Sequence, residues 1–243
     1  MISPSESGGQ DFELNLASII DCLTVIIAFL LMNGLFLFVF PDTNVFDYGY
    51  ATLDKFFEMA PWILLLLIPA ITMRAFSEEF RSGTYEILQT RPLGSWRIIQ
   101  GKYLAALIVV ALSILPTVIY VYTVGHLSTG GLDTGGILGA YIGLLALAAV
   151  FNAIGLCCSS ASGNAVVAFL LAAFACFLLY SGFDAISRIP AFRSGADYYI
   201  GLLGIDFHYQ RMSRGVIDTR DIVYFASMVL FFLFLTAKNL EKR

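Results

Sequence analysis

The sequence predicts an all-α membrane protein. It has six transmembrane helices, a cytoplasmic amphipathic helix between the second and third, and short outer interfacial helices before the sixth. Three observations lead there. First, 58% of the 243 residues are hydrophobic and 13% are charged, whereas a soluble domain carries about 25% charged residues. With mean hydropathy +0.81, the chain has too little polar surface to cover a water-soluble fold. Second, six apolar runs approach the roughly 20 residues that a helix needs to cross a bilayer. Third, one polar island, Arg74 to Lys102, interrupts the apolar pattern and keeps a helical period. The expected organisation is a cytoplasmic N-terminal segment, 1–18, followed by a single six-helix domain, 19–243. That domain contains the polar segment 74–102 and an outer loop, 184–221.

The spans follow in order. The first is about Ile19 to Phe40, closed by Pro41. The second is about Met59 to Met73, with Pro61 near its start and Pro69 inside. The third is about Tyr103 to Val124, with Pro116 inside. The fourth is about Ile137 to Cys158 and the fifth about Ala165 to Phe183. The sixth, about Ile222 to Ala237, is short, and either tilts little or extends into the interface.

Orientation follows from Lys and Arg asymmetry. The island holds Arg74, Arg81, Arg91, Arg97 and Lys102. The tail adds Lys238, Lys242 and Arg243 on the same side of a six-span model. The opposite side has Lys55 in a short loop and five arginines in the long loop before the last span. Those arginines are interleaved with aspartates, and long loops obey the rule less well. Both termini are expected in the cytoplasm.

The loop 184–221 is rich in Ile, Leu, Phe and Tyr. Water would not favour such a loop. Two readings fit: short helices in or dipping into the outer interface, broken at Pro190 and Gly195, or a compact cap packed on the helix ends.

Composition excludes several functions. A net charge of −4 leaves no nucleic-acid footprint. Met1 to Gln10 has no basic residue, so the first apolar run is not expected to be a signal peptide. Cys22, Cys157, Cys158 and Cys176 lie in apolar runs and read as small buried hydrophobes. His126 and His208 have no ligand partners nearby in sequence, so no metal and no cofactor is expected. The only Gly-Lys pair is Gly101-Lys102, followed by Tyr103, which is not a phosphate-cradling loop. The chain is therefore not expected to be an enzyme that hydrolyses ATP by itself. The centres of the second to sixth spans lack acids and bases, which disfavours a proton-driven carrier. Ser159, Ser160 and Ser162 lie at a helix end without a histidine at their depth, which disfavours an intramembrane serine protease.

Within the island, Phe76, Phe80, Gly83 and Ile87 fall on one helical face, and Glu78, Ser82, Tyr85 and Gln89 on the other. Glu79 and Glu86 share an edge. Thr90 to Gly94 then breaks the helix. Arg91, Trp96, Arg97 and Lys102 suit an anchor at the headgroups. Two readings stand: an interfacial helix, or a docking helix for a cytoplasmic partner. Gly135, Gly139 and Gly143 form a small-residue stripe for close helix packing, within one bundle by default or at a subunit interface.

Ser77-Glu78-Glu79, Gly83-Thr84, Glu86 and Leu88, followed by Pro92-Leu93 and Gly101-Lys102, resemble the cytoplasmic coupling segment of type-2 ABC exporter permeases. Leu31 to Phe40, Ala60 to Phe76 and Ser213 to Tyr224 resemble, within that family, the GldF group of gliding-motility permeases. The resemblance runs from about Ile27 to the C-terminus. It implies a permease subunit in the bacterial inner membrane, with a separate GldA-like ATPase pressing on Glu78, Glu79, Gly83, Thr84 and Glu86. It also implies a GldG-like second membrane subunit, or a second copy, beside it in the bilayer. One departure is plain: such permeases usually begin with a basic amphipathic helix, and Met1 to Ser18 contains no Lys or Arg. The alternative is a non-transporting scaffold or anchor of a motility or secretion complex.

Overall fold

The computed structural model describes residues 23–40, 53–89, 94–127, 133–189 and 196–242. Described residues form helices and turns, with no strand among them. In chain order, α1 is Leu23–Phe38. Next come α2 Asp54–Thr72, α3 Arg74–Ser82, α4 Thr84–Gln89 and α5 Ser95–Ile114. A 3₁₀ turn at Leu115–Thr117 joins α5 to α6, Val118–Leu127. Then come α7 Thr134–Ala161 and α8 Ala165–Phe177. A π turn at Leu178–Gly182 leads into α9, Phe183–Ser187. The chain ends with α10 Ala196–Gly201, α11 Ile205–Ser213 and α12 Thr219–Glu241.

Five continuous helices are long and apolar enough to cross a membrane: Asp54–Ser82, Ser95–His126, Thr134–Ala161, Ala165–Ser187 and Thr219–Glu241. α1 is apolar but shorter, and part of its expected run, from Ile19, lies outside the described residues. The helices overrun the apolar stretches read from sequence. Caps explain part of this. Asp133 accepts from the backbone of Gly135 and Gly136 and starts α7 early. Asp218 accepts from Arg220 N–H and starts α12 before its apolar run. These side chains satisfy amides that a helix start leaves bare. Pro116 has no N–H to donate, and the helix answers with the local 3₁₀ turn rather than a break.

α7 is the centre of the bundle. α2, α3, α5, α8, α11 and α12 all pack on it. In a bilayer, lipid competes with protein for apolar surface, so close packing and hydrogen bonds hold helices together. The sequence of α7 suits this. Gly139 lies against Gly215 and Met212, where a Cβ would sit 2.7 Å from Gly215 Cα. Gly143 lies against the Met212 side chain. The expected stripe therefore closes inside the bundle, onto α11 and the turn that follows it. Gly135 sits at the capped start of α7 instead.

The described part of the segment after α9, from Ala196, packs on the helix ends as a cap. α11 buries Ile205, His208, Tyr209 and Met212. Tyr209 O–H donates to the Phe57 carbonyl at 2.6 Å and ties the cap to α2. His208 Nδ1 lies 2.6 Å from Asp221 Oδ1, and Nε2 lies 2.9 Å from the Leu202 carbonyl. Tyr224 stacks on the His208 ring. His208, which has no partner near it in sequence, finds one on the first turn of α12. The expected break at Pro190 and Gly195 lies outside the described residues.

Candidate functional site

The island folds into an elbow at the opposite end of the bundle from the cap. Its first arm, α3, continues α2 after a single turn residue, Met73. α3 is strongly two-sided: Phe76 and Ser77 are buried, while Glu78, Arg81 and Ser82 are exposed. It ends at Gly83, whose φ of 72° is left-handed backbone, a conformation that glycine adopts without the Cβ clash. α4 begins at Thr84, and Ser82 Oγ lies 2.8 Å from Thr84 Oγ1 across the bend.

This break corrects the reading of a single helix from Phe76 to Gln89. A left-handed residue resets the helical phase, so Tyr85 does not share a face with Glu78 and Ser82. Tyr85 is buried, edge-on to Phe80 at 5.0 Å. Phe76, Tyr85, Ile99, Ala153, Leu156, Leu233 and Leu240 form a second core, separate from the main one. They come from α3, α4, α5, α7 and α12. The elbow is therefore seated on the bundle and does not hang from it.

Polar contacts fix the seat. The N–H groups of Phe76 and Ser77 donate to Ser159 Oγ at 3.0 and 3.2 Å. The Ser159 hydroxyl donates to the Met73 carbonyl at 2.9 Å. Lys102 Nζ donates to the Ala75 carbonyl and, at 2.5 Å, to Glu79 Oε1. It also lies 4.7 Å from the Phe76 ring centroid. Asn152 Nδ2 donates to the Tyr103 carbonyl at 2.9 Å, and Asn239 Nδ2 to Ser160 Oγ at 3.2 Å.

The expected residues separate into two groups. Glu78, Gly83, Thr84 and Glu86 are exposed on the elbow. Glu79 is not: its side chain is 28% exposed, paired with Lys102, and its Oε2 is buried without a partner. Of the anchor set, Trp96 and Arg97 are exposed at the start of α5. Lys102 turns inward to the root of α3. Arg91 lies outside the described residues.

Sequence reasoning missed Ser159 and Gly155. A Cβ on Gly155 would lie 2.0 Å from Thr72 Oγ1, so α7 and α2 touch at the α2–α3 joint. Both residues continue the four-residue spacing of Gly135, Gly139 and Gly143. Four residues fall roughly 40° past a full turn. The stripe therefore drifts from the face that meets α11 to the face that meets the joint.

Among the described residues no group of three or more His, Cys, Asp and Glu could hold a metal. At the cap end, an open cavity of about 580 Å³ is lined by residues including Asp54, Glu58, Asp184 and Asp206. Three of those carboxylates have side-chain partners: Lys55 for Glu58, Arg188 for Asp184 and Gln210 for Asp206.

Comparison with known families decides the class. Residues 42–192, more than half of the chain, match the model of the ABC-2 family transporter protein. The chain belongs to the ABC-2 transporter family. It is accordingly a multi-pass membrane permease component of an ABC transporter, a family that works with an ABC ATPase and lives in lipid. The ABC-2 match spans α2 to α9, so it includes the elbow and the parts of its seat that come from α5 and α7, but not those from α12. No curated protein matches the ABC-2 chain closely.

Proposed function

We propose that this chain is the permease subunit of an ATP-driven complex in the bacterial inner membrane, closest in kind to the GldF group of gliding-motility permeases. α1 is the first of six spans, and both termini and the elbow α3–α4 face the cytoplasm. A separate GldA-like ATPase hydrolyses ATP and bears on the exposed face formed by Glu78, Gly83, Thr84 and Glu86. A GldG-like membrane subunit, or a second copy of the chain, sits beside it. The stroke drives transport or mechanical work across the membrane.

One observation carries this reading. A short, two-sided elbow leaves Glu78 and Glu86 exposed, yet rests on a core shared by α3, α4, α5, α7 and α12. Force applied to the exposed face reaches several spans at once, which is what a lever requires. Glu79 serves this site from inside, as the partner of Lys102.

A second reading, a non-transporting scaffold of a motility or secretion complex, draws on the described span interiors, which carry no acid or base. The two differ in what the ATPase does. The test is the complex purified from its native membrane, with Glu78→Lys and Glu86→Lys combined. The lever reading expects a folded chain that no longer stimulates the ATPase. Normal binding and normal stimulation by the double variant would sink it.

A further inference from the structure

The start of α3 is anomalous. α3 follows α2 through Met73 alone, so carbonyls at the end of α2 would ordinarily take its first N–H groups, and a free helix start would use a side-chain cap instead. Met73 is in helical backbone and makes no side-chain cap. Its thioether is a poor acceptor. Phe76 and Ser77 are nevertheless buried, so their amides need partners.

The partner comes from another span. Ser159 Oγ, fully buried on α7, receives both amides. The Met73 carbonyl, which would ordinarily take the Ser77 amide, instead accepts the Ser159 hydroxyl at 2.9 Å and the Ser77 hydroxyl at 2.5 Å. Ser159 thus replaces one rung of the α2–α3 ladder. Gly155, one turn earlier on the same face of α7, lets the two backbones approach closely enough for that exchange.

We infer that Ser159 is the positioning residue of the elbow, a helix cap supplied in trans by α7 that makes α3 and the end of α7 move as one body. The consequence for coupling rests on the lever reading above. The cap itself does not. With Ser159 in place, α2 and α3 are joined by a polar hinge whose third member is α7. A push on α3 is then delivered to the central span of the bundle, and not only along α2.

Hydrogen exchange of the purified chain in lipid nanodiscs tests the cap without any partner. In Ser159→Ala, the amides of Phe76 and Ser77 should exchange roughly fivefold faster, the effect of losing a helix cap. The α8 amides should not change. Ser159→Thr, which keeps the hydroxyl, should retain most of the protection. The complex with its co-purifying ATPase tests the consequence: Ser159→Ala should bind the ATPase with unchanged affinity and lose most of its stimulation. Unchanged exchange at Phe76 and Ser77 overturns the proposal. So does faster exchange with stimulation intact, or loss of stimulation matched by loss of ATPase binding. The lever reading fails separately, if Glu78→Lys with Glu86→Lys binds and stimulates normally. The exchange data on Ser159→Ala would then still decide the cap.

Discussion

Gly155 on α7 faces Thr72 on α2 with no room for a methyl group: a Cβ there would meet Thr72 Oγ1 at 2.0 Å and Thr72 Cβ at 2.9 Å. Thr72 cannot swing away freely, because its hydroxyl donates to the Ile68 carbonyl at 2.9 Å. Gly155→Ala should therefore part α2 from α7 and weaken the joint by about 1–3 kcal/mol. The thermal midpoint of the detergent-solubilised chain checks this. Adding Thr72→Ala should recover part of the loss, since it removes the hydroxyl oxygen that the new Cβ would meet at 2.0 Å.

Lys102 and Glu79 hold the root of α3 from the side of α5. Removing the lysine strands a carboxylate that already has one oxygen, Oε2, buried without a partner. Lys102→Met should cost about 1–3 kcal/mol, read as a lower thermal midpoint. Glu79→Gln should cost less, because the amide oxygen still accepts from Lys102. Equal losses in the two variants would show that the pair does not act as described.

Tyr85 offers a contrast between ring and hydroxyl. Its ring is buried in the second core, while its hydroxyl is buried without a partner. Tyr85→Phe should be neutral or slightly stabilising, since it removes an unsatisfied group. Tyr85→Ala should cost about 3–5 kcal/mol and loosen α4 first. Limited proteolysis between Gly83 and Gly94 is a direct readout.

Asp218 gives the start of α12 an acid-sensitive cap. Its carboxyl is held below the ordinary value of 3.8, chiefly by the Arg220 backbone N–H, with help from the Arg211 and Thr219 side chains. A group with a lowered value in the fold stabilises it above the unfolded value and loses that contribution as pH falls through the folded one. Protection of the first turn of α12 should therefore decline only below pH 3.8. Asp218→Asn keeps a capping oxygen and should flatten that decline. Hydrogen exchange of Arg220 and Asp221 amides across the acid range is the measurement.

The spans were legible because lipid demands long apolar runs, and α7 shows how well that rule works. The ends of spans were less so. The short runs from Met59 and Ile222 gave no sign of the capping or continuity that lengthens α2 and α12. The elbow was legible as amphipathic but not as bent. One glycine among helix formers reads as a tolerated cost, and only its positive φ reveals the turn that buries Tyr85. Ser159 was visible only as a nucleophile to dismiss, since sequence spacing cannot show which distant amides lack a cap. His208 and Asp221 pose the same difficulty, being thirteen residues apart on different helices.

The enclosure of α7 has a consequence for assembly. Its glycine stripe, the usual signature of a helix that dimerises, is already filled by α11, the turn at Gly215 and the α2 joint. Any neighbour in the bilayer must therefore dock on surfaces that the bundle leaves bare. The apolar flanks of α5–α6 from Leu104 to Tyr122, of α8 from Val166 to Phe174, and of α12 at Leu230, Phe231 and Phe234 are such surfaces. Cross-linking scans for quaternary contacts belong on those flanks, whereas substitutions at Gly139 and Gly143 should disturb packing inside the bundle.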